Sequence, residues 1–286
     1  GVGCPKDEAR ADAWFCSAFQ GFCELEQTSH DDKLQYRIGW MLLHGVGTVQ
    51  KEAAAKAWFE KASRLGNPHA QFQLARMILS DPSSPGEEKK QALDWMKKSA
   101  EAENAYAQHY LGKLLFQGEI VNKDVKTAVH WLTASAEQDN QYAQYALGRL
   151  FLSGEDVPKD VEAALKWLTQ SAEQGNEFAQ YQLGRLYLIG QDVSKDREAA
   201  IHWLTLAAEQ GNEYAQVLLE RMEDWQRAAV ARGVLRLFRQ VAGIFQDRQP
   251  PVQSGVRFVD SKLRRKLRQK KAALGQKPGG ADQQQG

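Results

Sequence analysis

The chain has 286 residues, a formal net charge of +1 and hydrophobic side chains at 43% of its positions. Its three cysteines, Cys4, Cys16 and Cys23, all precede residue 30, which excludes a scaffold stapled by disulfides along its length. No apolar run is long enough to span a bilayer and no secretory leader is recognisable, so a reducing cytoplasm is the expected location.

Residues 1–30 read as an N-terminal capping helix, with helical patterning over 7–27 and Trp14 as an out-of-step echo of tryptophans that follow. Cys16 and Cys23 stand seven apart on it. At 1.5 Å rise per residue that places their Cα atoms about 10 Å apart, beyond the reach of a disulfide.

From residue 31 the sequence repeats. Tryptophans recur at Trp58, Trp95, Trp131, Trp167 and Trp203, and an Ala-Gln pair keeps the same step from Ala70-Gln71 to Ala215-Gln216. A fixed period of about 36 residues is the mark of a solenoid, in which each unit buries its apolar face against its neighbours. The units are 31–66, 67–103, 104–139, 140–175 and 176–211, with a partial unit at 212–223. Within 176–211, Phe178, Ala179, Leu183, Leu186 and Tyr187 lie at helical spacing until Gly190 breaks the run. A second helix opens with Asp196 as N-cap and runs through Trp203 and Leu204 towards Gly211. Each unit is therefore expected to be a helix A and a helix B joined by a short loop. Gly39, Ala75, Gly112, Gly148 and Gly184 share one slot of helix A, where a small residue admits a neighbouring helix. The recurring tryptophan is expected to fill the adjacent gap and to be largely buried. In the second unit, residues 80–85 (SDPSSP) replace the glycine loop.

In the partial unit, Glu220 takes the glycine slot and Glu223 the aromatic slot, so stacking should stop there. Residues 224–247 place Val230, Val234, Leu237, Val241 and Phe245 on one stripe. The favoured reading is a lid helix over the last repeat; the alternative is a helix that docks on a partner or a second copy. Residues 248–286 hold ten basic and two acidic side chains, a local balance of +8, which leaves −7 for the rest. This basic stretch is expected to be a flexible tail. Its densest part, Lys262, Arg264, Arg265, Lys266, Arg268, Lys270 and Lys271, is a candidate contact for DNA phosphates, with little capacity to read bases.

The slot pattern LGxxY(F)xxG, a polar loop and then K-D…A…W-L…A-E-x-G resembles the Sel1-like repeat family. It is carried best by Leu147-Gly148, Phe151 and Gly154 and by Leu183-Gly184, Tyr187 and Gly190. The resemblance implies an all-α, right-handed α/α superhelical solenoid, with helix A lining the concave side, and points to a bacterial protein. The basic run SKLRRKLRQKKAALGQKP after Pro250-Pro251 is also similar to the carboxyl end of mobilisation relaxases of Gram-positive conjugative elements. Sel1-like repeats can follow a DNA-nicking domain in those proteins, and a start at Gly-Val-Gly fits a fragment of one.

Catalytic constellations are thin. His30, His44, His69, His109, His130 and His202 show no HxxxH or HExxH spacing, and P-loop, GxGxxG and GxSxG motifs are missing. Each histidine is read as structural, no metal or cofactor is expected, and the chain is read as a non-enzyme. The recurrent candidate for binding is a basic residue after the small slot: Arg76, Lys113, Arg149, Arg185 and Arg221, accompanied by Phe72, His109, Tyr145 and Tyr181. These either form a positive ladder along the concave face or pair with Glu137, Glu173 and Glu209 of helix B. The function expected is a non-catalytic scaffold that binds a peptide or partner domain on its concave face. The alternative is an accessory domain of a mobilisation relaxase whose tail contacts DNA.

Overall fold

The computed structural model describes residues 7–247; all the tail residues from Lys262 to Lys271 named above lie outside them. The described residues form twelve helices and no strand. Two units are distinguished, with the boundary between Met222 and Glu223.

The first unit opens with α1 (Glu8–Ser29), capped by the Asp7 carboxylate, which accepts the Arg10 amide proton. Helix A and helix B then alternate: α2 (Asp32–His44) and α3 (Glu52–Arg64), α4 (Pro68–Ser80) and α5 (Gly86–Glu101), α6 (Ala105–Gln117) and α7 (Val125–Glu137). They continue as α8 (Gln141–Ser153) and α9 (Val161–Glu173), then α10 (Glu177–Ile189) and α11 (Arg197–Glu209). The last helix, α12, is continuous over Glu213–Asp247 and crosses the boundary. The short helix A and the separate lid helix expected on either side of residue 223 are thus one helix, because no glycine or proline interrupts 213–232. On its second-unit part, Val230, Val234, Leu237 and Phe238 are exposed.

Helix A begins at the exposed Asp31 in the first repeat and at a buried asparagine in the later ones. Asn67, Asn104, Asn140, Asn176 and Asn212 accept the amide of the residue three ahead, satisfying donors that a helix start leaves orphaned. Helix A ends at a left-handed glycine, Gly118, Gly154 or Gly190, while Asp81 replaces it in the second unit. There the Asp81 carboxylate accepts the amide and hydroxyl of Ser83, an Asx turn that shapes the SDPSSP loop. The turn from helix B back to helix A needs a positive φ at one position. Glycine supplies it at 66, 175 and 211, whereas Glu103 and Asp139 adopt φ of 60° without that freedom.

The small slot works as expected, but its partner is different. A Cβ on Gly148 would stand 2.6 Å from Leu168 Cγ, on Gly184 2.6 Å from Leu204 Cγ, and on Gly112 2.8 Å from Leu132 Cγ. These leucines follow the tryptophans and, with Phe59 and Met96 in the same slot, are the most deeply buried large side chains of helix B. The tryptophans themselves are only half-buried, a correction to the expected burial. A ring beside the Leu slot cannot share the closest approach of two helices, so it covers the edge of the interface. Lys61 lies 4.0 Å over the Trp58 ring and Lys166 4.9 Å over Trp167.

Polar rungs bind the helices to one another, both between units and within them. The buried glutamine of each Ala-Gln pair donates to a carbonyl at the end of the preceding helix B: Gln108 to Ala100, Gln144 to Ala136, Gln180 to Ala172. Its own Oε1 accepts from a glutamine thirty residues ahead, through Gln138 to Gln108, Gln174 to Gln144 and Gln210 to Gln180, each at 2.8 Å. Within a unit, buried Ser99, Ser135 and Ser171 of helix B donate to the Pro68, Ala105 and Gln141 carbonyls at the start of helix A. Between adjacent loops, Lys123 pairs with Asp156 at 2.7 Å and Lys159 with Asp192 at 2.5 Å.

Candidate functional site

Helix A sets the positions of the candidate residues. With Asn at the N-cap, residues two, five and nine positions later fall on one face of the helix. In α8 these are Tyr142, Tyr145 and Arg149; in α10, Phe178, Tyr181 and Arg185; in α12, Tyr214, Val217 and Arg221. The corresponding residues are His69, Phe72 and Arg76 in α4, and Tyr106, His109 and Lys113 in α6. The structure exposes Arg76, Lys113, Arg149, Arg185 and Arg221 and leaves Tyr145 and Tyr181 half-buried.

Rings join these faces across unit boundaries. Tyr36 meets His69 at 5.6 Å between centroids, Phe72 meets Tyr106 at 6.2 Å, and His109 meets Tyr142 at 6.1 Å. Tyr145 and Phe178 lie 6.0 Å apart, Tyr181 and Tyr214 6.1 Å. The result is an aromatic ribbon along the helix A face, bordered by cations. Arg76 lies 5.8 Å from the Phe72 centroid and Arg149 5.8 Å from that of Tyr145, so their guanidinium groups rest on rings. Among the described residues, none of the five ladder cations forms an ion pair with Glu137, Glu173 or Glu209.

The outer members of the ribbon were not among the predicted site residues. Tyr106, Tyr142, Phe178 and Tyr214 are between 49% and 74% exposed, unusual for rings that recur at every step. Their signal was present: each stands immediately before an Ala-Gln pair. His109 is the odd member. Burial, then the charge of Lys113, hold its imidazole down to a pKa of about 4, so it is neutral at physiological pH and adds no charge to the ribbon.

Among the described residues, no group of three or more His, Cys, Asp or Glu side chains is placed to hold a metal ion. Cys16 and Cys23 are both free thiols, and burial, then Glu26 and Glu24, push the Cys23 thiol up. No described helix is long and apolar enough to cross a membrane.

The family model described as Sel1 repeat matches five times, at residues 33–67, 68–104, 105–140, 141–176 and 178–212. The chain belongs to the Sel1 repeat family. A solved structure agrees in fold, and two others are similar over much of the chain. A Sel1 repeat protein from Oxalobacter formigenes shares 30% identity at a TM-score of 0.61, over 66% of this chain and 77% of its own. A protective antigen with a Sel1-like repeat fold from uropathogenic Escherichia coli, c5321, shares 25% identity at 0.49, over 85% of this chain and 62% of its own. A Klebsiella pneumoniae protein described as a Sel1 repeat protein shares 22% identity at 0.49, over 73% of this chain and 99% of its own. Among curated proteins, none matches the sequence. Sel1 and related tetratricopeptide-like repeats generally mediate protein–protein interaction, and Sel1 scaffolds are typically non-catalytic.

Proposed function

We propose that this Sel1 repeat protein is a non-catalytic scaffold that binds an extended, acidic segment of a partner protein along the helix A face. The observation that supports it is the combination of recurrent exposed rings with five cations not ion-paired to helix B glutamates. A chain of packed rings offers apolar area at small entropic cost, and guanidinium groups already resting on rings present their donors outwards. Carboxylates of the partner supply the charge, and its intervening side chains lie on the rings.

Fluorescence anisotropy with labelled acidic and neutral extended peptides tests this. The acidic peptides are expected to bind more tightly, with affinity falling as salt rises. An Arg149→Ala/Arg185→Ala double variant should bind about three- to thirtyfold more weakly, from ~0.3–1 kcal/mol per exposed charge. Equal binding of acidic peptide by both proteins would falsify the assignment of this face.

A further inference from the structure

The ladder of cations has one exception, and it sits beside a cavity. The slot filled by Arg76, Lys113, Arg149, Arg185 and Arg221 is occupied in α2 by Trp40, which is 38% exposed and stacks on His44 at 4.5 Å between centroids. Next to it, α1 and α2 enclose an open cavity of about 470 Å³, within the range of ligand sites. Phe15, Ala18 and Phe22 of α1 and Tyr36, Trp40 and Met41 of α2 line it. Its one charged lining group is Arg37, whose guanidinium lies 6.0 Å over the Phe22 ring.

Tyr36 connects the cavity to the ribbon, because it lines the first and meets His69 of the second. The two features are therefore continuous along α2 and α4. The fold has a reason to keep the cavity open on this side. Gly47 approaches α1 so closely that a Cβ there would stand 2.2 Å from the Phe15 carbonyl oxygen, which seats the loop against α1 on backbone rather than on side chains. Large rings at Phe15 and Trp40 are then left partly in water.

Resting on the helix A reading above, we infer that the α1–α2 cavity receives a bulky apolar side chain at one end of the same acidic segment. Charge complementarity chooses this occupant. A segment that lays carboxylates on Arg76 to Arg221 meets no cation in the corresponding slot of α2, and there an apolar group finds aromatic walls instead. Recognition then has polarity: an acidic stretch over the later units and an anchor at the first. A purely acidic segment fills only part of the surface, and a purely apolar one leaves the ladder unsatisfied.

The test uses the full chain and three labelled probes: a ten-residue peptide alternating Glu and Ser, and the same peptide with Trp-Leu added at its amino or its carboxyl end. One anchored peptide should bind about ten- to hundredfold more tightly than the plain one, the worth of burying one large apolar side chain. Ala18→Trp, which fills the cavity, should erase that gain and leave the plain peptide's affinity unchanged, and Trp40→Ser, which removes an exposed aromatic wall without adding charge, should erase the gain as well. Far-UV circular dichroism confirms folding of each, and either variant alone suffices. The inference is overturned if neither anchor adds affinity, or if the gain survives in the folded variants. It is also overturned if the wild type dimerises and Ala18→Trp makes it monomeric, since the occupant is then a second copy. If the plain peptide does not bind the wild type at all, the helix A reading itself fails.

Discussion

Gln35 stands where Gln71, Gln108, Gln144 and Gln180 stand in later units, yet its Oε1 is buried without a partner. The reason lies thirty residues ahead. The slot that supplies the donor is Gln138, Gln174 and Gln210 in the last three units, but Leu65 in the first, 55% exposed. Leu65→Gln should therefore complete the rung and stabilise the protein by about 1 kcal/mol, read from the midpoint of urea unfolding; a shift towards lower urea would refute the rung. His109 gives a second residue-scale expectation. Its pKa is depressed from 6.5 to about 4 by burial, so between these values the unfolded chain binds the proton more readily than the folded one. Stability should be fully present above pH 6.5 and fall as the pH drops towards 4. His109→Tyr, which installs the residue of the next unit's slot, should flatten that part of the pH profile of Tm. An unchanged slope would mean that His109 is not the titrating group.

At the scale of the helix, burial follows contact with the facing helix rather than ring size. Leu168 meets Gly148 and is wholly buried, while Trp167 beside it is half-buried under Lys166. Leu168→Ala should cost about 2–5 kcal/mol, and Trp167→Ala, despite the larger deletion, about 3 kcal/mol or less. Equilibrium unfolding of both variants ranks them, and a much larger loss for Trp167 would contradict the packing described. This also marks what was legible. Period, helix pairs, caps and the small slot could be read because each is a local pattern of one residue type. The tryptophan is the most conspicuous recurring side chain, but its rarity carries no information about depth. The glutamine rungs were visible only as a register mark, since their partners lie thirty residues away in the sequence. The outer ring of the ribbon is not legible for a related reason: exposure of an aromatic is decided by the neighbouring helix, not by its own.

At the scale of the whole repeat array up to Met222, contacts recur locally: Gly on Leu, Ser on a carbonyl and, in the last three repeats, Gln on Gln within a helix pair, with Gln on a carbonyl and Lys on Asp between adjacent pairs. Stability should then be close to a sum of unit and interface terms. Removal of residues 141–176 brings Ala136 to the place of Ala172 beneath Gln180, so the new junction repeats the old one. The shortened protein is expected to fold, with a lower Tm and a cooperative transition, by circular dichroism and size exclusion. Loss of cooperativity would show that the units are not interchangeable. Peptide affinity should fall as well, because the deletion removes Tyr142, Tyr145 and Arg149 from the ribbon.

The unequal rungs have a mechanical consequence. Glutamine pairs tie helix A to helix B within the last three repeats, whereas Leu65 and Ala102 occupy the same slot in the first two and carry no such tie. If the repeats were stretched, the pairs α2–α3 and α4–α5, which lack the glutamine tie, would separate first, and the later pairs would give only at greater force. A partner seated on α2 and α4 through Tyr36 and His69 would rest on the part of the chain that yields first, so tension would release it before any contact over the later units.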